Sequence, residues 1–193
     1  MYIDDLPLAC SYWLQQKIEA IIPEINDKLT GMYSSASDPA LVKAAVTVGE
    51  LTNADTPTIC VWTEKGSQPN QLDMNGFSPE SKVDLLYKIK LCLPEASDDN
   101  TVSDFELTKQ CAMGKLWRFF WDTRNTMAPV VYTKADPEIQ VTAIASRRRV
   151  GDWRSVFSKP LSDTQTLTRS VEMTFTFSFG ICEDTVLDSA SAS

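Results

Sequence analysis

Histidine is missing from this chain altogether, across all 193 residues. Its absence removes the commonest general base, the Ser–His and Cys–His nucleophile pairs and the most usual zinc ligand. Carboxylate-only and lysine-based catalysis stay open, but no catalytic residue set, metal site or cofactor site is expected, and the chain is not expected to be an enzyme. Long apolar runs are missing too: none approaches the roughly 18–20 residues that cross a bilayer, so no membrane partner is expected. The opening Met1-Tyr-Ile-Asp-Asp5 lacks the basic and apolar regions of a signal peptide, which predicts a cytosolic life at least during synthesis. The glycines build no phosphate loop or dinucleotide fingerprint; Lys65-Gly-Ser67 and Asn75-Gly76 read as turns. Gly-x-Ser-x-Gly, Ser-x-x-Lys and Cys-x-x-Cys do not occur. The cysteines at 10, 60, 92, 111 and 182 are odd in number, widely spaced and mostly inside apolar periodic segments. They predict reduced, mostly buried thiols.

What is present is scaffolding. In residues 171–181, Val171, Met173, Phe175, Phe177, Phe179 and Ile181 alternate with Glu172, Thr174, Thr176, Ser178 and Gly180. Side chains on a strand point alternately to its two faces, so this is a long half-buried strand whose other face carries nothing reactive. Val83, Leu85, Tyr87, Ile89, Leu91 and Leu93 repeat the pattern, with Asp84, Lys88 and Lys90 opposite. The short, β-rich stretch Thr58–Thr63 can pair with 82–93 as a hairpin, with 64–81 as its exposed tip. Val42, Ala44, Val46 and Val48 predict a further strand, Val130–Tyr132 a brief edge segment, and Ile139, Val141, Ala143 and Ala145 a strand over about 138–149. Residues 150–169 read as a second long loop.

Two segments have helical spacing. Leu14, Ile18, Ile21, Ile22, Ile25 and Leu29 predict an amphipathic helix over about 8–30, with Pro23 expected to kink or divide it. Ser103-Asp-Phe-Glu106 has the capping-box pattern, predicting a helix from there to about Asn125. Phe105, Ala112, Leu116, Phe119 and Phe120 form its inner stripe. Trp117 and Trp121 widen the apolar surface beyond one stripe and suggest a second contact surface.

The composition, 43% hydrophobic and 23% charged, is that of an ordinary globular protein. The expectation is one α+β domain over 1–182: a mostly antiparallel sheet, two amphipathic helices on one face and long protruding loops. The polar residues 183–193 should be a disordered tail. Charge is uneven: residues 1–106 hold 7 basic and 17 acidic side chains, residues 107–193 hold 11 and 9. Complementary halves could help copies of one protein dock head to tail. Arg147-Arg148-Arg149, with Arg154 and Lys159 nearby, is the main basic patch. Alternation puts Arg147 and Arg149 on one face of a strand and Arg148 on the other. The patch can be a solvated strand end, a salt-bridged subunit interface, or a nucleic-acid contact aided by Trp153 and Phe157. The carboxylates of Asp4-Asp5 and Asp98-Asp99 do not follow a calcium loop.

The order of these elements resembles a known group. A helix over Tyr12–Leu29 precedes the strand Pro57-Thr-Ile-Cys-Val-Trp62; the strand Val83–Leu93 is followed by the helix Ser103–Asn125; the strands Ile139–Arg149 and Ser170–Ile181 close the chain. This is similar to the tail-terminator and neck (head–tail joining) proteins of long-tailed bacteriophages. Pro23, the Trp-rich second helix and the extra strand near 42–48 depart from that pattern. The resemblance implies a structural virion protein that assembles into a homo-oligomeric ring, commonly a hexamer. Its partners would be other copies of itself, the tail tube protein and the connector or neck protein, with DNA only passing through the lumen. Arg147, Arg148, Arg149, Arg154, Trp117 and Trp121 are the expected subunit or partner interface. A nucleic-acid-binding accessory protein using Arg147–Arg154 is the alternative, and a carboxylate-only hydrolase a third possibility.

Overall fold

A computed structural model describes residues 5–32, 43–46, 57–67, 80–92, 100–122, 129–135, 138–145, 147–158 and 168–182. The expected tail at 183–193 lies outside these residues, as does 68–79 of the expected hairpin tip; the two ends of that tip, 64–67 and 80–81, are strand and not loop. Helix α1 spans Leu6–Met32. Leu6, Ala9, Cys10, Trp13, Leu14, Ile18, Ile21, Ile25 and Leu29 recur every three or four positions and are all buried. Pro23 does not divide it: one helix runs through. Pro23 and Glu19 both lie on the exposed side, so the carbonyl deprived of its amide partner has access to water.

Helix α2 spans Asn100–Trp121, beginning three residues before the expected Ser103 cap and stopping before the expected Asn125. The capping-box residues Ser103 and Glu106 thus fall inside the first two turns and not at the helix start. At the other end the Asp122 amide closes the last turn on the Arg118 carbonyl at 3.1 Å.

The main sheet contains β1 (Lys43–Val46), β2 (Thr58–Ser67), β3 (Glu80–Cys92), β6 (Arg147–Ser158) and β7 (Thr168–Cys182), in the order β1-β2-β3-β7-β6. All pairings are antiparallel except β1 with β2, which is parallel. Register assembles the core: Leu85 faces Phe177, Tyr87 faces Phe175, Ile89 faces Met173 and Leu91 faces Val171, while Ile59 and Val61 extend the layer on β2. Each large apolar side chain buried here contributes roughly 1.5–3 kcal/mol. The helices cover this face, with Trp13 edge-on to Phe177 at 5.6 Å and Phe120 against Phe175 at 5.0 Å. The molecule is an α+β fold.

Two expectations at the C-terminal side are corrected. The single strand over 138–149 is two strands in different sheets: β5 (Glu138–Ala143) pairs with β4 (Val130–Ala135) in a separate hairpin, and β6 joins the main sheet. The hairpin packs on α1 through buried Val130, Val141 and Ala143. The physical reason is a slip of phase, because odd residues 141 and 143 face the core while the even Arg148 and Val150 lie opposite Phe177 and Phe175. The long loop over 150–169 is the second correction, since β6 runs on to Ser158 beside β7. Val150 pairs with Phe175 and Trp153 with Met173, so Gly151 and Asp152 share one position opposite Thr174. That bulge absorbs the glycine without ending the strand.

Candidate functional site

The basic patch is divided between the two faces of the sheet. In β6, Arg147 lies opposite Ser178, Arg148 opposite Phe177 and Arg149 opposite Thr176. Arg148 therefore belongs to the helix side, with its guanidinium carbon 4.9 Å from the Trp13 ring centroid and 5.7 Å from that of Phe177. Burial pushes the Arg148 guanidinium below its ordinary value, and Cys10 opposes that shift. Arg149 and Arg154 lie toward the other side, both exposed. Arg154 Nη2 stands 3.7 Å from Glu172 Oε2, in register across the strand pair. Trp153 is exposed on the rim of β6, an edge strand of the main sheet.

On α2, Trp117 and Trp121 stack, with centroids 5.1 Å apart and planes inclined by 27°. Trp117 also packs against the core, whereas Trp121 is 64% exposed. The helices fall toward opposite edges: α1 packs on β1 and β2, α2 on β6 and β7. Glu19, Glu24 and Asp27 are exposed on α1. Exposed carboxylates on α1 and the exposed Arg149 and Arg154 of β6 thus lie on opposite faces of the sheet. Glu24 also meets Lys115 of α2 at 3.4 Å.

Sequence reasoning missed a polar cluster beneath the N-terminal part of α1. The Tyr87 hydroxyl donates to the Pro7 carbonyl at 2.8 Å, and the Ser11 hydroxyl donates to the same oxygen at 3.1 Å. The Ser11 and Thr63 hydroxyls approach to 3.5 Å. Burial pushes the Cys10 thiol up to about 12, against opposing effects of the Tyr87 hydrogen bond and Arg148. Burial, with Cys10 beside it, also pushes the Tyr87 phenol up. Neither group ionises at neutral pH, so Cys10 is no nucleophile there. Tyr87 looks like one more apolar member of an alternating strand; only a partner 80 residues away in sequence reveals the hydroxyl's role.

A second unforeseen feature crosses the face away from the helices. Cys60 pairs with Lys90, Lys90 with Glu172 and Glu172 with Arg154, forming one row over four strands. Lys90 and Glu172 are buried although the alternation alone assigns them to a polar face. Cys60, Trp62 and Cys92 form a small apolar cluster on this same side. Among the described residues no group of three or more cysteine, aspartate or glutamate side chains could hold a metal ion.

No protein-family model matches this chain, and no curated protein matches it either. Among the described residues, no helix is long and apolar enough to cross a membrane.

Proposed function

We propose that this chain is a structural virion protein that closes into a ring at the head–tail junction of a long-tailed bacteriophage, ending the tail tube and joining it to the connector. It acts by shape and charge, and not as an enzyme. One observation carries the reading: exposed charges of opposite sign sit on opposite faces of the sheet. Arg149 and Arg154 are exposed on the face of β6 away from the helices, whereas Glu19 and Asp27 are exposed on α1, which covers the other face. A head-to-tail contact joins two different surfaces, and a suitable rotation between copies closes it into a ring. Complementary charge would set the register of that contact and speed its formation. Trp121, at the end of α2, supplies an exposed aromatic of the kind enriched at interfaces. The element order resembles that of tail-terminator and neck proteins, which makes a hexamer the expected ring, with tail tube and connector proteins on its two sides and DNA passing through the lumen.

The alternative, a nucleic-acid contact through Arg147–Arg154, is weakened by the same geometry. Arg148 lies over Trp13 on the helix side and Arg154 faces Glu172, so the run does not present one cationic surface.

Native mass spectrometry of the full chain, over a concentration series, tests the ring. The expected result is a single closed oligomer that Arg149→Glu disrupts and that a Glu19→Lys partner restores on mixing. Only monomer at tens of micromolar, in low and moderate salt, would overturn the reading.

A further inference from the structure

The face of the sheet away from the helices carries two cysteines that the pairing of β2 and β3 brings together. Thr58 lies opposite Cys92 and Cys60 lies opposite Lys90, so Cys60 and Cys92 are diagonal neighbours on the same side of adjacent antiparallel strands. They pack with Trp62 in one small buried cluster. Cys92, beside Cys60, together with burial holds the Cys60 thiol above its ordinary value. Both are reduced in this structure, as are Cys10 and Cys111. Those two lie elsewhere: Cys10 is beside Tyr87, and the Cys111 thiol donates to the Ile25 carbonyl at 3.5 Å.

We propose that Cys60 and Cys92 are a latent disulfide, closed by a diffusible hydroperoxide when the protein leaves a reducing environment. The inference does not depend on ring assembly. Diagonal Cα atoms in an antiparallel pair stand about 7–8 Å apart, just beyond the usual disulfide range of about 4.4–6.8 Å. The pair lies where β2 begins and β3 ends, and Thr58–Cys92 is the last pair of their ladder, so the shift that closes the bond falls at one end of that ladder, between the flanking β1 and β7. The chemistry balances with one peroxide. One thiol, as its thiolate, attacks a peroxide oxygen, giving a sulfenic acid and, after protonation, water. The second sulfur then attacks the sulfenic sulfur and expels a second water, so two thiols are oxidised by two electrons and the peroxide is reduced. Lys90, directly opposite Cys60, only partly offsets the Cys92 contact and the burial that hold the Cys60 thiol well up, so the thiolate that starts the sequence forms only in the locally opened state. Burial makes the reaction slow, since Cys60 and Cys92 are both closed to solvent and must be reached by local opening. Once formed, the bond would tie β2 to β3, closing a loop from residue 60 to residue 92, and restrict the unfolded chain.

The test treats the folded full-length protein with hydrogen peroxide, blocks remaining thiols under denaturing conditions, and digests it without reduction. The expected product has lost two hydrogens, has three of its five cysteines blocked, and yields one linked peptide pair containing Cys60 and Cys92. Its melting midpoint should rise by roughly 5–10 °C, reversibly with reductant. Cys92→Ser should abolish the link and the rise, while Cys10→Ser should leave both. Five blocked cysteines after oxidation, a link between other cysteines or between copies, or sulfinic acid at Cys60 without a link would overturn the proposal. The linkage map is read on the unmodified chain, so it stands even if a variant folds poorly.

Discussion

The guanidinium carbon of Arg148 stands 4.9 Å from the centre of the Trp13 indole, joining edge strand β6 to helix α1. Arg148 lies opposite Phe177, and Phe177 is edge-on to Trp13, so the cation rests on two rings already packed together. A partly desolvated cation over an indole contributes about 0.5–2 kcal/mol. A double-mutant cycle of Arg148→Ala and Trp13→Ala, measured by urea unfolding, should give a coupling in that range. Trp13→Ala alone should cost about 3–5 kcal/mol, because it also empties a large buried volume. A coupling indistinguishable from zero would mean that the arginine only fills space.

Alkaline pH should destabilise the fold more than mild acid does. Burial raises the Cys10 thiol from its ordinary 9.0 to about 12 in the folded chain, so above pH 9 the unfolded state releases a proton that the folded state keeps. The stability tied to this group is therefore complete below pH 9 and is lost as pH rises toward 12. One such proton corresponds to a slope of about 1.4 kcal/mol per pH unit. Tyr87 is raised in the same direction and adds to the loss above pH 10. Urea midpoints from pH 7 to 11 should fall progressively, and Cys10→Ser should remove about one proton from the slope.

Gly151 is held by its neighbour across the bulge. A Cβ at this position would run into Thr174 Oγ1 on β7. Gly151→Ala should destabilise by about 1–3 kcal/mol through overpacking. Thr174→Ala removes the obstructing hydroxyl, so the double variant should recover much of that loss by the same unfolding measurement. Full additivity would show that Gly151 is needed for its backbone freedom and not for the space.

The core was legible in sequence where burial and alternation keep one phase over many residues. β7 and β3 are such cases: every inward residue from Val171 to Phe179 is buried. Legibility failed where the phase changes. Between Ala143 and Arg148 the inward parity switches from odd to even, and at Gly151 two residues share one position, so neither strand boundary follows from a simple count of two. The divided arginine run was foreseen from alternation, but its partner Trp13 was not, because nothing local links a helix near the N-terminus to residue 148. Lys90 and Glu172 escaped for a similar reason. Each looks like an outward polar residue on its own strand, and only their pairing across β3 and β7 exposes the row.

Trp121 separates folding from the proposed assembly. It is 64% exposed, and its ring contact is the stack on Trp117, which itself lies against the core. Trp121→Ser removes little buried area, so the urea midpoint of the isolated chain should change by less than about 0.5 kcal/mol equivalent. Trp117→Ser should cost more, because its ring is half-buried against the core. An exposed tryptophan that becomes covered between copies is, in contrast, the kind of residue whose truncation costs at least about 2 kcal/mol of association. The oligomer of Trp121→Ser should therefore dissociate at concentrations about thirtyfold higher than the unmodified protein, read by native mass spectrometry on dilution. Equal dissociation of the two proteins would remove this tryptophan from the interface and leave the contact to the charged flanks of α1 and β6.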